Sequence, residues 1–165
     1  MNYFQLFEIP VQLVVDGAAL SAKYFELSRR YHPDYFVNSS PEQQSEALER
    51  SALLNKAIRT FQHPDETIRY VLQLKGLLED EEKYQLPPEF LMEVLEINEE
   101  LMDPESADLR SIRARIDELQ AEIYESVRDV VENYREGDSE AGLLRVKEYY
   151  YKKKYLDRIR MQLSS

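Results

Sequence analysis

Apolar residues along this chain recur every three or four positions, and no clear run alternates polar with apolar, so the pattern predicts helices and no strands. Leu20, Tyr24, Leu27 and Tyr31 follow each other at 4-3-4 spacing and form one buried stripe on a helix that Asp16 can cap. Ser40-Pro41-Glu42-Gln43 reads as the next helix start: serine caps, proline takes the first turn, and glutamine completes a capping box. That helix is expected to reach about Phe61, with Leu54, Ile58 and Phe61 inward. A short helix follows over 64–75, closed by Gly76. Ahead of these, residues 3–7 suit one or two helical turns and 11–15 a β-branched loop.

The second half begins after a polar stretch, 77–87, which holds Glu79-Asp80-Glu81-Glu82 and ends in Pro87-Pro88. It reads as a linker or a solvated loop. Three longer helices are predicted beyond it, over 88–102, 108–136 and 139–163. The middle one carries Ile112, Ile116, Leu119, Ile123, Val127, Val130 and Tyr134 inward, and the last Tyr149, Leu156, Ile159 and Leu163. Short breaks between long helices imply antiparallel neighbours, hence a three-helix bundle. The expected domains are 1–75, a linker at 76–87, and 88–165.

Charge sharpens that division. Residues 1–75 carry 8 Lys+Arg against 9 Asp+Glu, and the remainder 13 against 23, within a net charge of −11. An acidic second half repels nucleic acid. The tyrosine–lysine run from Tyr149 to Tyr155 is therefore read as core plus solvated face rather than as a base-stacking surface. There is no cysteine, which removes disulfides, thiolate metal sites and cysteine nucleophiles, and is compatible with a reducing cytoplasm. No secretory signal and no apolar run long enough to span a membrane is visible. No catalytic motif is found, so neither enzyme activity nor a cofactor or metal is expected.

The most informative feature is His32-Pro33-Asp34. Proline disfavours helical dihedrals in the residue before it, so the helix through Arg29-Arg30-Tyr31 should stop there and present His32 and Asp34 on a loop. A second copy, His63-Pro64-Asp65, opens a helix, where His63 can cap and Pro64 can take the first position. A structural role explains that copy. The first copy lies between two antiparallel helices, where nothing in the fold requires a histidine; a turn capped by Asp34 is the bland alternative.

A short apolar helix, a basic amphipathic helix, an HPD loop, a capped antiparallel helix and a short fourth helix together resemble a J-domain. In that family the loop and the basic face before it dock on the ATPase domain of a DnaK-type heat-shock chaperone and stimulate hydrolysis. The resemblance implies chaperone-binding roles for His32, Pro33, Asp34, Lys23, Arg29 and Arg30. Lys23 and Arg30 lie within about 20° of each other on the helix, away from the apolar stripe. Tyr35 stands where many J-domains carry a basic residue.

The whole chain resembles one J-protein branch, the HscB co-chaperones of iron–sulfur cluster assembly. Asn2-Tyr3-Phe4-Gln5-Leu6-Phe7, the stretch from Phe90-Leu91-Met92-Glu93 to Leu101, and Tyr155-Leu156-Asp157-Arg158-Ile159 carry the match. On the middle stretch Phe90, Val94, Ile97 and Leu101 point one way, while Leu91, Leu95 and Met102 form a second stripe about 110° round, with Met92 farther on. Two stripes mean contact with two helices, or one core face and one binding face. The resemblance implies the latter, with Leu91, Met92, Leu95, Glu96, Glu99 and Tyr155 binding an IscU-like scaffold; Asn98 replaces a basic residue of some members.

The expectation is thus an all-α, L-shaped chain: an N-terminal J-domain, then an antiparallel three-helix bundle. As the resemblance implies, a cytoplasmic, monomeric co-chaperone would deliver the scaffold to an HscA-like chaperone and stimulate its ATPase. The alternatives are a general J-protein delivering unfolded clients and, from the enzyme class, a small helical hydrolase using carboxylates.

Overall fold

The structure, a computed structural model, describes residues 1–164. Among the described residues every regular element is helical. In chain order these are α1 (Tyr3–Leu6), α2 (Gly17–Arg30), a 3₁₀ turn (Pro33–Phe36), α3 (Pro41–Phe61), α4 (Pro64–Leu74), α5 (Pro88–Leu101), α6 (Leu109–Glu125), α7 (Arg128–Asn133) and α8 (Glu140–Leu163).

Side-chain caps set most of the starts. Asn2 accepts from the Gln5 amide and Gln5 bonds back to Asn2, Asp16 accepts from Ala19, and Ser40 and Gln43 close the capping box foreseen from sequence. Gly76 follows α4 at φ 74°, a left-handed conformation that costs a residue without Cβ little.

The chain divides into two compact units: Met1–Leu74 with Glu132–Asp138, and Lys75–Val131 with the residues from Ser139 onward. In the first, α3 is the central element, touched by α1, α2, α4 and the 3₁₀ turn. The links Tyr24 to Asn55 (2.7 Å) and Ser51 to the Tyr31 carbonyl (2.9 Å) run in opposite chain directions, so α2 and α3 are antiparallel. Leu20, Leu27, Leu54, Ala57, Phe61, Val71 and Leu72 fill the space between the helices. An aromatic cluster closes one end, where Tyr3 stacks on Tyr70 at 4.4 Å and Phe4 and Phe7 pack on Phe61. Tyr24, Tyr31 and Ile58, expected inside, are only half-buried; the two tyrosines keep their hydroxyls among polar partners.

In the second unit α6 lies along α8. Arg113 bonds the Leu163 carbonyl, Asp117 and Gln120 meet Arg160, and Asp129 meets Arg145, an antiparallel ladder. Ile112, Ile116, Ile123, Val146, Leu156 and Ile159 are buried along it. The single helix expected over 108–136 is broken at Ser126 and Val127. The Ser126 hydroxyl bonds the Ile123 carbonyl at 2.7 Å and the Ser126 carbonyl is taken by Arg145, so the helical ladder is interrupted there. Residues 76–87, read from sequence as a linker, carry the buried Leu78, a 2.6 Å ion pair from Glu82 to Lys147, and a stack of Tyr84 on Tyr151 at 4.5 Å.

Candidate docking sites

Helix α2 ends as the sequence dictates. Tyr31 makes the last helical bond, to the Leu27 carbonyl, and His32 turns to the extended region that a following proline demands. The His32 Nδ1 accepts the Asp34 amide at 3.2 Å, and the His32 carbonyl accepts the Tyr35 amide at 3.0 Å. A neutral imidazole that accepts at Nδ1 carries its proton on Nε2. The turn therefore offers a partner one ring donor and, beside it, the Asp34 carboxylate, whose side chain is 86% exposed. From α3, Gln44 grips the carbonyls of Val37 and Ser39, while Ser51 holds that of Tyr31. The loop is ordered by its own hydrogen bonds and by α3.

The second copy is different. His63 stands where α4 starts: its carbonyl accepts the Thr67 amide at 2.9 Å, Pro64 takes the first helical position, and its ring turns back to α3, Nδ1 donating to the Arg59 carbonyl at 2.7 Å.

The basic face of α2 is not the free surface that helical geometry alone suggests. The Lys23 Nζ lies 3.1 Å from Glu8 and 3.3 Å from Glu26, and Arg30 lies 3.3 Å and 3.0 Å from the same two carboxylates. The Lys23 hydrogen bond, followed by its charge, holds the Glu8 carboxyl below the ordinary glutamate value, and the Glu8 bond raises the Lys23 ammonium. Glu8 follows α1 at a positive φ of 57°, a place no periodicity marks as significant. Arg29 has no ion pair among the described residues. It borders an open cavity of about 480 Å³ together with Phe25, His32, Asp34 and Tyr35. Phe25 and Tyr35 are 60% and 71% exposed. The signal for Phe25 was present in the sequence: it lies opposite Leu20 and Leu27 on the helix, where a core residue has no use.

On α5 the two stripes separate by burial. Phe90, Val94 and Ile97 are at most 3% exposed, whereas Leu91, Met92 and Leu95 are 42%, 71% and 51% exposed. Met102, just past the helix, extends the exposed stripe. Glu96 and Glu99 are exposed on the same side of α5 as Met92. Tyr155 of α8 joins this surface. Its hydroxyl accepts from the Asn98 amide at 2.9 Å, and its ring meets Phe90 edge-on at 6.0 Å. Asn98 thus orients Tyr155 rather than offering a charge. Among the described residues no group of three His, Asp or Glu could hold a metal ion, and no helix is long and apolar enough to cross a membrane.

Known proteins share this architecture. The chain is similar over 99% of its length to the structures of chaperone HscB from Vibrio cholerae and of human co-chaperone HscB, each at TM-score 0.75 and 28% identity, covering 96% and 81% of those chains. A J-domain followed by a helical bundle is the build of a co-chaperone, a class that does no catalysis of its own. Residues 86–164 match the model of the HscB C-terminal oligomerisation domain. A co-chaperone HscB homologue of Photobacterium profundum is 30% identical over 99% of this chain and 95% of its own, and one of Vibrio parahaemolyticus 38% identical over 65% and 67%. The chain belongs to the HscB family of co-chaperones.

Proposed function

We propose that this co-chaperone serves iron–sulfur cluster assembly in the cytoplasm by binding an IscU-like scaffold on α5, bringing it to an HscA-like, DnaK-type chaperone, and stimulating that partner's ATPase. The J-domain half of the reading is supported by the turn at His32-Pro33-Asp34, which holds itself in place and leaves a donor and a carboxylate outward. Arg29 and Phe25 beside it supply one cation and one apolar contact. Lys23 and Arg30 act mainly by fixing Glu8 and Glu26, and reach the chaperone only where it displaces those carboxylates.

The observation that carries the scaffold half is the exposure of Leu91, Met92 and Leu95 on a helix whose other face already buries Phe90, Val94 and Ile97. Their burial needs a partner from outside the chain. The test pairs two variants in a chaperone ATPase assay with scaffold present. His32→Gln is expected to abolish stimulation while scaffold capture persists. His63→Gln is expected to change neither, because its ring serves only the end of α3. Equal loss from both histidine changes, or recovery of mixed unfolded chains instead of a scaffold, refutes the reading.

A further inference from the structure

Tyr151, Lys154, Tyr155 and Arg158 occupy i, i+3, i+4 and i+7 of α8 and so share one face. The segment 82–86 lies against that face, and an open groove of about 270 Å³ runs between the two. Its wall is fixed by the stack of Tyr84 on Tyr151, inclined by only 5°, and by Lys147, whose ammonium lies 5.7 Å from the Tyr84 ring centre. Lys147 also pairs with Glu82, the one carboxylate among the described residues of the rim. Lys83, Lys154 and Arg158 stand on the same rim, and none of them has an ion pair among the described residues. Nearby cations of α8 are all spoken for: Lys152 by Glu148, Lys153 by Asp157, Arg160 by Asp117. Three uncompensated cations around an aromatic wall are out of character for a chain of net charge −11.

We propose that this groove takes an acidic peptide segment, with its carboxylates against Lys83, Lys154 and Arg158 and an apolar side chain on the Tyr84–Tyr151 pair. The segment belongs to the scaffold partner, a step that rests on the α5 reading given above. Tyr155 makes the connection, since it lines the groove and also bonds Asn98 of α5, so a partner covering Leu91 and Leu95 meets the groove at its edge. The charge complementarity is local. Screening confines it to about 8–10 Å, so a short acidic segment answers chiefly to the charges beside the groove: the three cations, and Glu82 and Glu148, which Lys147 and Lys152 already pair. A nucleic acid strand offers the same sign but continues past the groove over surface where acids outnumber bases, 23 to 13 beyond residue 75.

The test compares the wild-type chain with the triple charge reversal Lys83→Glu, Lys154→Glu and Arg158→Glu, and with its milder glutamine counterpart at the same positions. All three side chains are exposed, so the helices stay formed by circular dichroism. Scaffold affinity is expected to fall at least about tenfold in the reversal and less in the glutamine variant at about 50 mM salt, with most of the gap gone at about 300 mM. Unchanged scaffold affinity in the reversal overturns the groove and leaves the α5 reading standing. Should the wild type bind no scaffold, the α5 reading falls, and an octaglutamate peptide decides the groove by nuclear magnetic resonance. Shifts confined to amides 82–86 and 151–158 and lost in the reversal uphold it. No such shifts, or equal shifts with a single-stranded oligonucleotide, overturn it.

Discussion

Removing Leu91, Met92 and Leu95 together separates the interface reading of α5 from the core reading. Leu91, Met92 and Leu95 are 42%, 71% and 51% exposed, so, taking about 200 Å² for each fully exposed residue, they show roughly 300 Å² to solvent between them. If a scaffold covers that area, truncation to alanine forfeits about half of it, or about 3–5 kcal/mol at ~25 cal/mol per Å². That weakens binding by more than about a hundredfold. The same area contributes nothing to folding, because it is in water in the free protein. Leu91→Ala, Met92→Ala and Leu95→Ala combined should therefore leave the melting temperature within about 2 °C of wild type. Ile97→Ala is the control: Ile97 is 1% exposed, and its truncation is expected to cost about 2–5 kcal/mol and lower the melting temperature by ~10 °C or more. Titration calorimetry against the scaffold and thermal melting followed by circular dichroism give both numbers. A triple variant that melts as early as Ile97→Ala would show that the second stripe is core, and one that binds scaffold like wild type would show that it is idle.

Two further outcomes follow from the charges around α2. Arg29→Ala should reduce chaperone stimulation more than Lys23→Ala does, because Lys23 is already engaged by Glu8 and Glu26 while Arg29 is not; the reverse order in an ATPase titration contradicts this assignment. For Glu8 the pKa is lowered on folding, so its contribution is present above the ordinary 4.5 and lost as pH falls through the lowered value; for Lys23 it is raised, so its contribution is present below the ordinary 10.5 and lost as pH rises through the raised value. Glu8→Gln should accordingly melt slightly below wild type near neutrality, and the gap should close well below pH 4.5; a gap that persists in acid shows that Glu8 contributes by packing instead.

Helix starts were legible because they are local. The caps at Asp16 and Ser40 depend on residues within one turn, and so does the stop at His32 before Pro33. The two stripes of α5 were legible for the same reason, since periodicity alone sorts Phe90, Val94 and Ile97 from Leu91 and Leu95. What stayed hidden depends on contacts far along the chain. The break at Ser126 comes with a guanidinium from Arg145, 19 residues on, and the position of Lys23 within an ion-pair network depends on Glu8, 15 residues before it. Tyr84 looked like part of a solvated stretch until Tyr151 came to lie on it. A hydrophobic period carries no record of such pairings, because any of several partners would satisfy the same face.

The charges show how far this matters for function. Counted along the sequence, Lys23, Arg29 and Arg30 form one basic patch and Lys152, Lys153 and Lys154 another. In the folded chain each patch splits. Lys23, Arg30, Lys152 and Lys153 have carboxylates of their own, so a partner must displace these before it gains anything, and exposed pairs of this kind contribute little in either role. Among the described residues Arg29 and Lys154 have no ion pair to surrender. An unpaired cation alone marks nothing, since Lys56 on α3 is in the same position. Arg29 is distinguished by its company: exposed Phe25 and Tyr35, and the ordered His32–Asp34 turn. Lys154 is distinguished likewise, by Lys83, Arg158 and the tyrosine stack. A cation whose charge is uncompensated and whose neighbours include accessible aromatic surface can gain on binding without first losing a bond. That coincidence, rather than the density of lysine and arginine in the sequence, is the physical ground for placing one partner at the turn after α2 and an acidic segment of the other beside α8.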